Sequence, residues 1–199
     1  MVGKQTTEIL AVELAKRASL DKPTFLAMRE RGERFLPALK GVLADHTSQT
    51  VVLDFTGVEI ITSSFADAVF GQLAVDRSTK SIAPVCLVIR SLPAPYQEEI
   101  KNGLITRVEQ TDKLRNSLMP VYVSDDRVEL VGKAETHVTE TFDMLRRVKR
   151  LTARTLADEM RLEIGAASTR LKVLYDLGLA LREEVRDRVG KQFIYVWPF

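Results

Sequence analysis

Residues 51–73 constrain this chain more than any other stretch. They read Val-Val-Leu-Asp-Phe-Thr-Gly-Val-Glu-Ile-Ile-Thr-Ser-Ser-Phe-Ala-Asp-Ala-Val-Phe-Gly-Gln-Leu. The continuous apolar run Val51 to Leu53 predicts a buried strand, and Asp54 to Gly57 predicts its exit and a turn. A short apolar run, Val58 to Ile61, leads into Thr62, Ser63 and Ser64. Beyond them Phe65, Val69, Phe70 and Leu73 recur at helical spacing. Strand, hydroxyl-rich loop and helix follow one another in a compact βα unit. The hydroxyls fall where the helix begins. Ser64 with Asp67 three residues on fits a capping box, and Ser63 is a second candidate cap. A helix start also offers unpaired N–H groups and partial positive charge, so a phosphate added at Ser64 or Ser63 would be tolerated there.

The pattern Leu-Asp-Phe-Thr-Gly-Val followed by Thr-Ser-Ser-Phe-Ala-Asp resembles the STAS-like domains of bacteria (DUF4325), relatives of anti-sigma-factor antagonists. The resemblance covers roughly the first 115 residues and is most specific at Ser63 to Asp67. It implies an α/β sandwich and, by analogy with the antagonists, a Ser at the helix start phosphorylated by a GHKL-type kinase. Ser64 falls on that acceptor position. Thr62 stands where antagonists carry Asp, and Phe65 where they carry Gly.

A chain of 199 residues has room for one or two domains. Its 45% hydrophobic and 28% charged content fits a globular protein. The formal net charge of +2 does not by itself indicate a nucleic-acid partner. No apolar run approaches the length of a membrane span, and the N-terminus lacks the apolar region of a signal peptide, so a cytoplasmic location is expected. Cys86 is the single cysteine and lies in an apolar run, where a core thiol is expected. His46 and His137 lack spaced partners, so neither a metal nor a cofactor is expected. The sequence shows no Gly-rich phosphate loop or nucleophile elbow, and the chain is not expected to be an enzyme.

Along the front of the chain, residues 6–14 fit either a strand or a short helix, and 19–27 a loop. Residues 28–45 carry the stripe Phe35, Leu36, Leu39, Val42 and Leu43, with a kink or a restart expected at Pro37. Arg29 with Gly32 resembles a segment of STAS-like relatives, and Arg29 is a candidate ligand residue. Residues 84–89 predict a second buried strand. Residues 94–103 predict a helix ending near Gly103. Residues 119–134 read as a hairpin that either finishes the front domain or connects it to the next.

The last third has a pattern of its own. Residues 135–149, Leu151 to Met160 with Thr152 as cap, and Ile164 to Leu177 predict three helices, the last ended by Gly178. Leu179 to Glu183 and Gln192 to Trp197 predict two strands joined by a charged loop over 185–190. The segment resembles bacterial winged helix-turn-helix regulators, with Arg161 where a turn Gly is common and Glu163 where a Ser or Thr cap is usual. The resemblance implies that the helix from Ile164 reads duplex DNA. Its outward residues Ser168, Thr169, Arg170 and Lys172 are candidate contacts, and Arg186, Arg188 and Lys191 candidate wing contacts. Glu183, Glu184 and Asp187 dilute that positive field.

The expected architecture is therefore a STAS-like α/β sandwich over 1–118, a hairpin connector over 119–134 and a winged helix-turn-helix domain over 135–199. The expected function is a cytoplasmic transcription regulator that binds double-stranded DNA, with dimerisation suggested by half-site reading. The rival expectation is a partner-switching scaffold, both of whose domains bind proteins such as a GHKL-type ATPase.

Overall fold

The structure is a computed structural model that describes residues 6–112, 114–124, 127–187 and 190–199. Five strands form the main sheet in the order β1 (Thr6–Leu10), β3 (Thr50–Asp54), β5 (Cys86–Arg90), β6 (Ser117–Ser124) and β7 (Arg127–Lys133). The first four are parallel and β7 returns antiparallel to β6. Strand order follows chain order. Crossovers of one hand then place their helices on one face of the sheet.

That face carries α2 (Arg29–Asp45), the helical stretch from Ser63 to Ser78 and α5 (Ala94–Gln110). Phe35, Leu39, Phe65, Val69, Leu73, Ile100 and Leu104 pack there against Val51, Leu53, Leu87, Ile89, Met119 and Val121. The strand residues involved alternate, as one face of a pleated sheet requires. Yet every residue of β3 is buried, Val52 included, and so is Val88 of β5. Something must therefore cover the second face as well.

The C-terminal third covers it. Helices α6 (Thr136–Val148), α7 (Ala153–Met160) and α8 (Ile164–Asp176) combine with an antiparallel sheet of β8 (Arg150–Leu151), β10 (Gly190–Val196) and β9 (Leu181–Asp187), in that order. Their core of Val138, Phe142, Leu145, Leu156, Leu171, Leu174, Tyr195 and Trp197 also takes in Leu118 and Val128 of the main sheet. Thr50 donates from Oγ1 to the Pro198 carbonyl at 3.0 Å, inside this contact. Phe199 meets both Tyr122 and Phe142. The hairpin over 117–133 thus completes the front sheet and at the same time forms part of the rear core.

Several local expectations are corrected. Residues 6–14 divide between β1 and a short α1 (Ala11–Arg17). Within the expected loop, β2 (Phe25–Leu26) pairs in parallel with β4 (Ile60–Ile61). Pro37 lies within α2, which is one element from Arg29 to Asp45. Helix α5 does not stop at Gly103. A Cβ there would lie 2.6 Å from the Asp67 amide nitrogen, so this glycine permits close helix approach and ends nothing. Val185 to Asp187 belong to β9, paired as far as Gly190, so the expected charged loop is largely ladder.

The rear helices end as their residues dictate. Thr152 caps α7 by accepting from the Thr155 amide, and the Thr155 side chain reciprocates. Arg161 takes the left-handed conformation (φ 53°) usually given to Gly. Helix α8 closes with Gly178 at φ +71°. The Leu179 amide donates to the Leu174 carbonyl and the Gly178 amide to the Tyr175 carbonyl, a Schellman motif.

Candidate functional site

The parallel pair β2–β4 sends two chains out in the same direction, so two helices start side by side. Helix α2 begins at Arg29, and α3 (Ser63–Ala66) begins next to it. The cap of α3 is Thr62, not Ser63 or Ser64. The Thr62 Oγ1 accepts from the Phe65 amide at 3.5 Å and from the Met28 amide at 3.3 Å. The position before the two serines faces both helix starts, which gives it the acceptor role. Met28 is held at φ 73° and is 59% exposed.

Ser64 is exposed, with Oγ 3.1 Å from Thr62 Oγ1. Ser63 is partly buried, and its amide donates to Glu99 Oε2 at 2.7 Å. The carboxylate of α5 thus already occupies the positive end of α3, the place an added phosphate would seek.

Asp67 does not complete a capping box. Its side chain is buried and meets two arginines. Arg29 Nη2 donates to Oδ2 at 2.5 Å, Arg107 Nε to Oδ1 at 2.6 Å and Arg107 Nη2 to Oδ2 at 3.1 Å. A π-helical segment, Asp67–Gly71, starts at this residue and passes directly into α4 (Gln72–Ser78). Glycine at 71 leaves room for the carboxylate, since a Cβ there would lie 2.8 Å from Oδ1. Single-turn π segments recur at functional sites.

Asp54 is held by a different arginine from those on Asp67. Asp54 bonds the Thr56 amide at 2.8 Å and Arg90, which also grips Glu8. Burial alone would raise the Asp54 carboxyl. The bonds from Arg90 and Thr56 outweigh it and hold the group down at about 2. Cys86 is buried, and burial pushes its thiol up to about 12, as for an inert core cysteine. Among the described residues no His, Cys, Asp or Glu cluster of metal-binding size occurs.

On α8, Ile164, Gly165, Ala166, Ser168, Thr169 and Lys172 are exposed, while Ala167, Leu171 and Leu174 face the core. Ser168 and Lys191 line one groove together with Arg154, Gln192 and Phe193. Thr169 turns its hydroxyl back to the Gly165 carbonyl at 3.0 Å. Arg170 does not stand clear of the helix. It turns toward α6 and pairs with Glu140 at 3.3 Å. Lys172 pairs with Asp176, and Arg186 and Lys191 both reach Glu184. Arg188 lies outside the described residues.

Residues 31–83 match the STAS-like domain of unknown function (DUF4325). No curated protein and no solved structure matches the chain. The STAS-like span runs from the first turn of α2 to just before β5. It therefore contains Thr62, Ser63, Ser64, Asp67 and Gly71, and of the main sheet only β3; the mixed α/β fold with a mainly parallel sheet around it fits that description. Arg29 and Arg107, which clasp Asp67, lie outside it. No helix among the described residues is long and apolar enough to cross a membrane.

Three side chains of this geometry escaped the sequence reading. Arg107 sits in an unremarkable helix, forty residues from its partner. Arg154 is exposed in the first turn of α7. Arg182 lies between two rings, 4.2 Å from the Tyr175 centroid and 4.4 Å from that of Phe193.

Proposed function

We propose that this chain is a transcription regulator of the bacterial cytoplasm. Its STAS-like front half receives a signal. Its C-terminal third is a winged helix-turn-helix that binds double-stranded DNA and involves no catalytic step. The observation that carries this reading is the first half of α8. It presents Gly165, Ala166, Ser168 and Thr169 to solvent, beside a hairpin bearing Arg186 and Lys191. Small side chains let a helix backbone approach a groove, while hydroxyls and basic groups meet phosphates and base edges. The helix order, the short β8 and the β9–β10 ribbon support the same reading.

A second reading is favoured by the ion pairs. Arg170, Lys172, Arg186 and Lys191 each have a carboxylate partner, so the surface is a patchwork of charge. Such a patchwork suits a protein partner, for example a GHKL-type ATPase, with the winged helix as its dock. Exposed ion pairs contribute only about 0–1 kcal/mol each, so competing phosphates can displace them. For that reason DNA comes first.

Titration of labelled duplex DNA by fluorescence anisotropy over a range of salt separates the two. The DNA reading expects affinity that falls steeply with salt. Lys172→Ala and Lys191→Ala should each weaken binding and lower the salt slope by about one. A wild-type protein with no duplex affinity at low salt removes the DNA reading and leaves the protein dock.

A further inference from the structure

Helix α3, the π segment and α4 are one uninterrupted rod from Ser63 to Ser78, about 24 Å long at the usual rise. Its first turn, with Thr62 as cap, lies against the start of α2 and against Glu99 of α5. Its last turn holds Arg77. That guanidinium is buried, at 5% exposure. It donates from Nη2 to the Val85 carbonyl at 3.2 Å, and its Nε finds no partner. No carboxylate pairs with it among the described residues. A buried charge without a counter-charge needs some other source of negative potential.

The end of α8 provides one. Gly178 closes that helix directly over Arg77. A Cβ on Gly178 would lie 2.4 Å from the Val85 carbonyl oxygen, 3.1 Å from Arg77 Nη2 and 3.2 Å from its Cζ. The C-terminal end of a helix carries partial negative charge, which favours a cation at that place. The rod therefore touches the hydroxyl cluster of the STAS-like half at one end and the carboxyl end of α8 at the other.

Between the two lies the element able to change. A π segment holds one residue more than an α-turn of the same span, shown here by the Gln72 amide donating to the Asp67 carbonyl. Arg29 and Arg107 pin its first residue. Loss of the extra residue to one flank would rotate and advance α4, and Arg77 with it. We propose that this rod is a coupling device: release of the Arg29–Asp67 clasp shifts the π segment and transmits, through Arg77, to the seat of α8. Arg77 is a positioning residue in this scheme. The regulatory meaning of the coupling rests on the DNA reading of α8; the coupling itself does not.

Hydrogen–deuterium exchange on the full chain tests it without DNA. The probe substitution is Arg29→Gln, because Arg29 is half exposed and its loss leaves Asp67 bonded to Arg107. Exchange should quicken across 63–71 and also across 174–180, the latter by about fivefold, the low end of ordinary coupling. Residues 153–160 of α7 should keep their wild-type rates. In Arg29→Gln/Arg77→Met, the further change at 174–180 relative to Arg77→Met alone should vanish. A response confined to 63–71, a uniform rise over the whole chain, or an effect at 174–180 that persists without Arg77 overturns the proposal. Duplex titration of the same proteins is a separate arm. Absence of DNA binding there refutes the proposed function and leaves the exchange result standing.

Discussion

Arg90 ties three parallel strands together, through the last residues of β3 and β5 and the middle of β1. It holds Asp54 of β3 and Glu8 of β1 while standing at the end of β5 itself. Asp54 is the member of this group whose titration matters. Its folded value of about 2 lies below the ordinary 3.8, so the unfolded chain takes up a proton first as pH falls. The stabilisation is complete above about pH 5, is lost mainly as pH falls from about 4 to 2, and is gone about a unit below that. It amounts to about 2 kcal/mol by the size of the shift. Urea unfolding at steps between pH 5 and pH 2.5 should show stability falling through that window. Asp54→Asn should remove this part of the slope and lower stability at neutral pH. A variant with the wild-type slope would mean that the Arg90 bonds do not hold the charge.

At the scale of elements, Gly103 shows how packing overrides propensity. An alanine there favours an isolated helix by about 1 kcal/mol. In this protein the new Cβ would meet the backbone at Asp67 and Ala66, 2.6 and 2.9 Å away, and backbone cannot step aside. Overpacking of that kind costs about 1–3 kcal/mol, so the penalty outweighs the gain. Gly103→Ala should lower the melting temperature by a few degrees, followed by circular dichroism. An unchanged or higher value would show that α5 does not lie so close to the start of the π segment. The same residue explains a misreading, since a glycine after a helical pattern normally signals its end. The strands β3 and β5 were legible because apolar runs need no partner to be recognised. The cap at Thr62 was not, because the choice among three consecutive hydroxyl residues depends on Met28, which arrives from the far side of β2. The Asp67 clasp was illegible for a like reason: its two arginines come from α2 and α5, and no local spacing links them. By contrast, Thr152 and Gly178 act within their own turns, and both were read from the chain.

For the whole molecule, the governing fact is a sheet buried on two faces by different parts of the chain. Helices α2, the Ser63–Ser78 rod and α5 cover one, and the C-terminal third covers the other. Its core includes Leu118 and Val128, and its last residues reach Thr50 and Tyr122. The sequence displayed two patterns and suggested two separable modules. It could not display that β6 and β7 serve both, because a strand with two buried faces looks the same whatever buries them. Modules that share two strands, with a core on either face, cannot open one at a time without exposing apolar surface of both, so unfolding should be all-or-none. Trp197, the sole tryptophan, is 3% exposed in the rear core and reports on that part by fluorescence, while far-ultraviolet dichroism averages over all helices and strands. The two thermal transitions should coincide, and calorimetry should give one endotherm whose van't Hoff and calorimetric enthalpies agree. Two endotherms, or a fluorescence transition well ahead of the dichroism, would mean that the rear unit detaches first. A rear unit that detaches on its own could hold α8 at no fixed angle to the sheet, and the contact between Arg77 and Gly178 would have nothing to transmit.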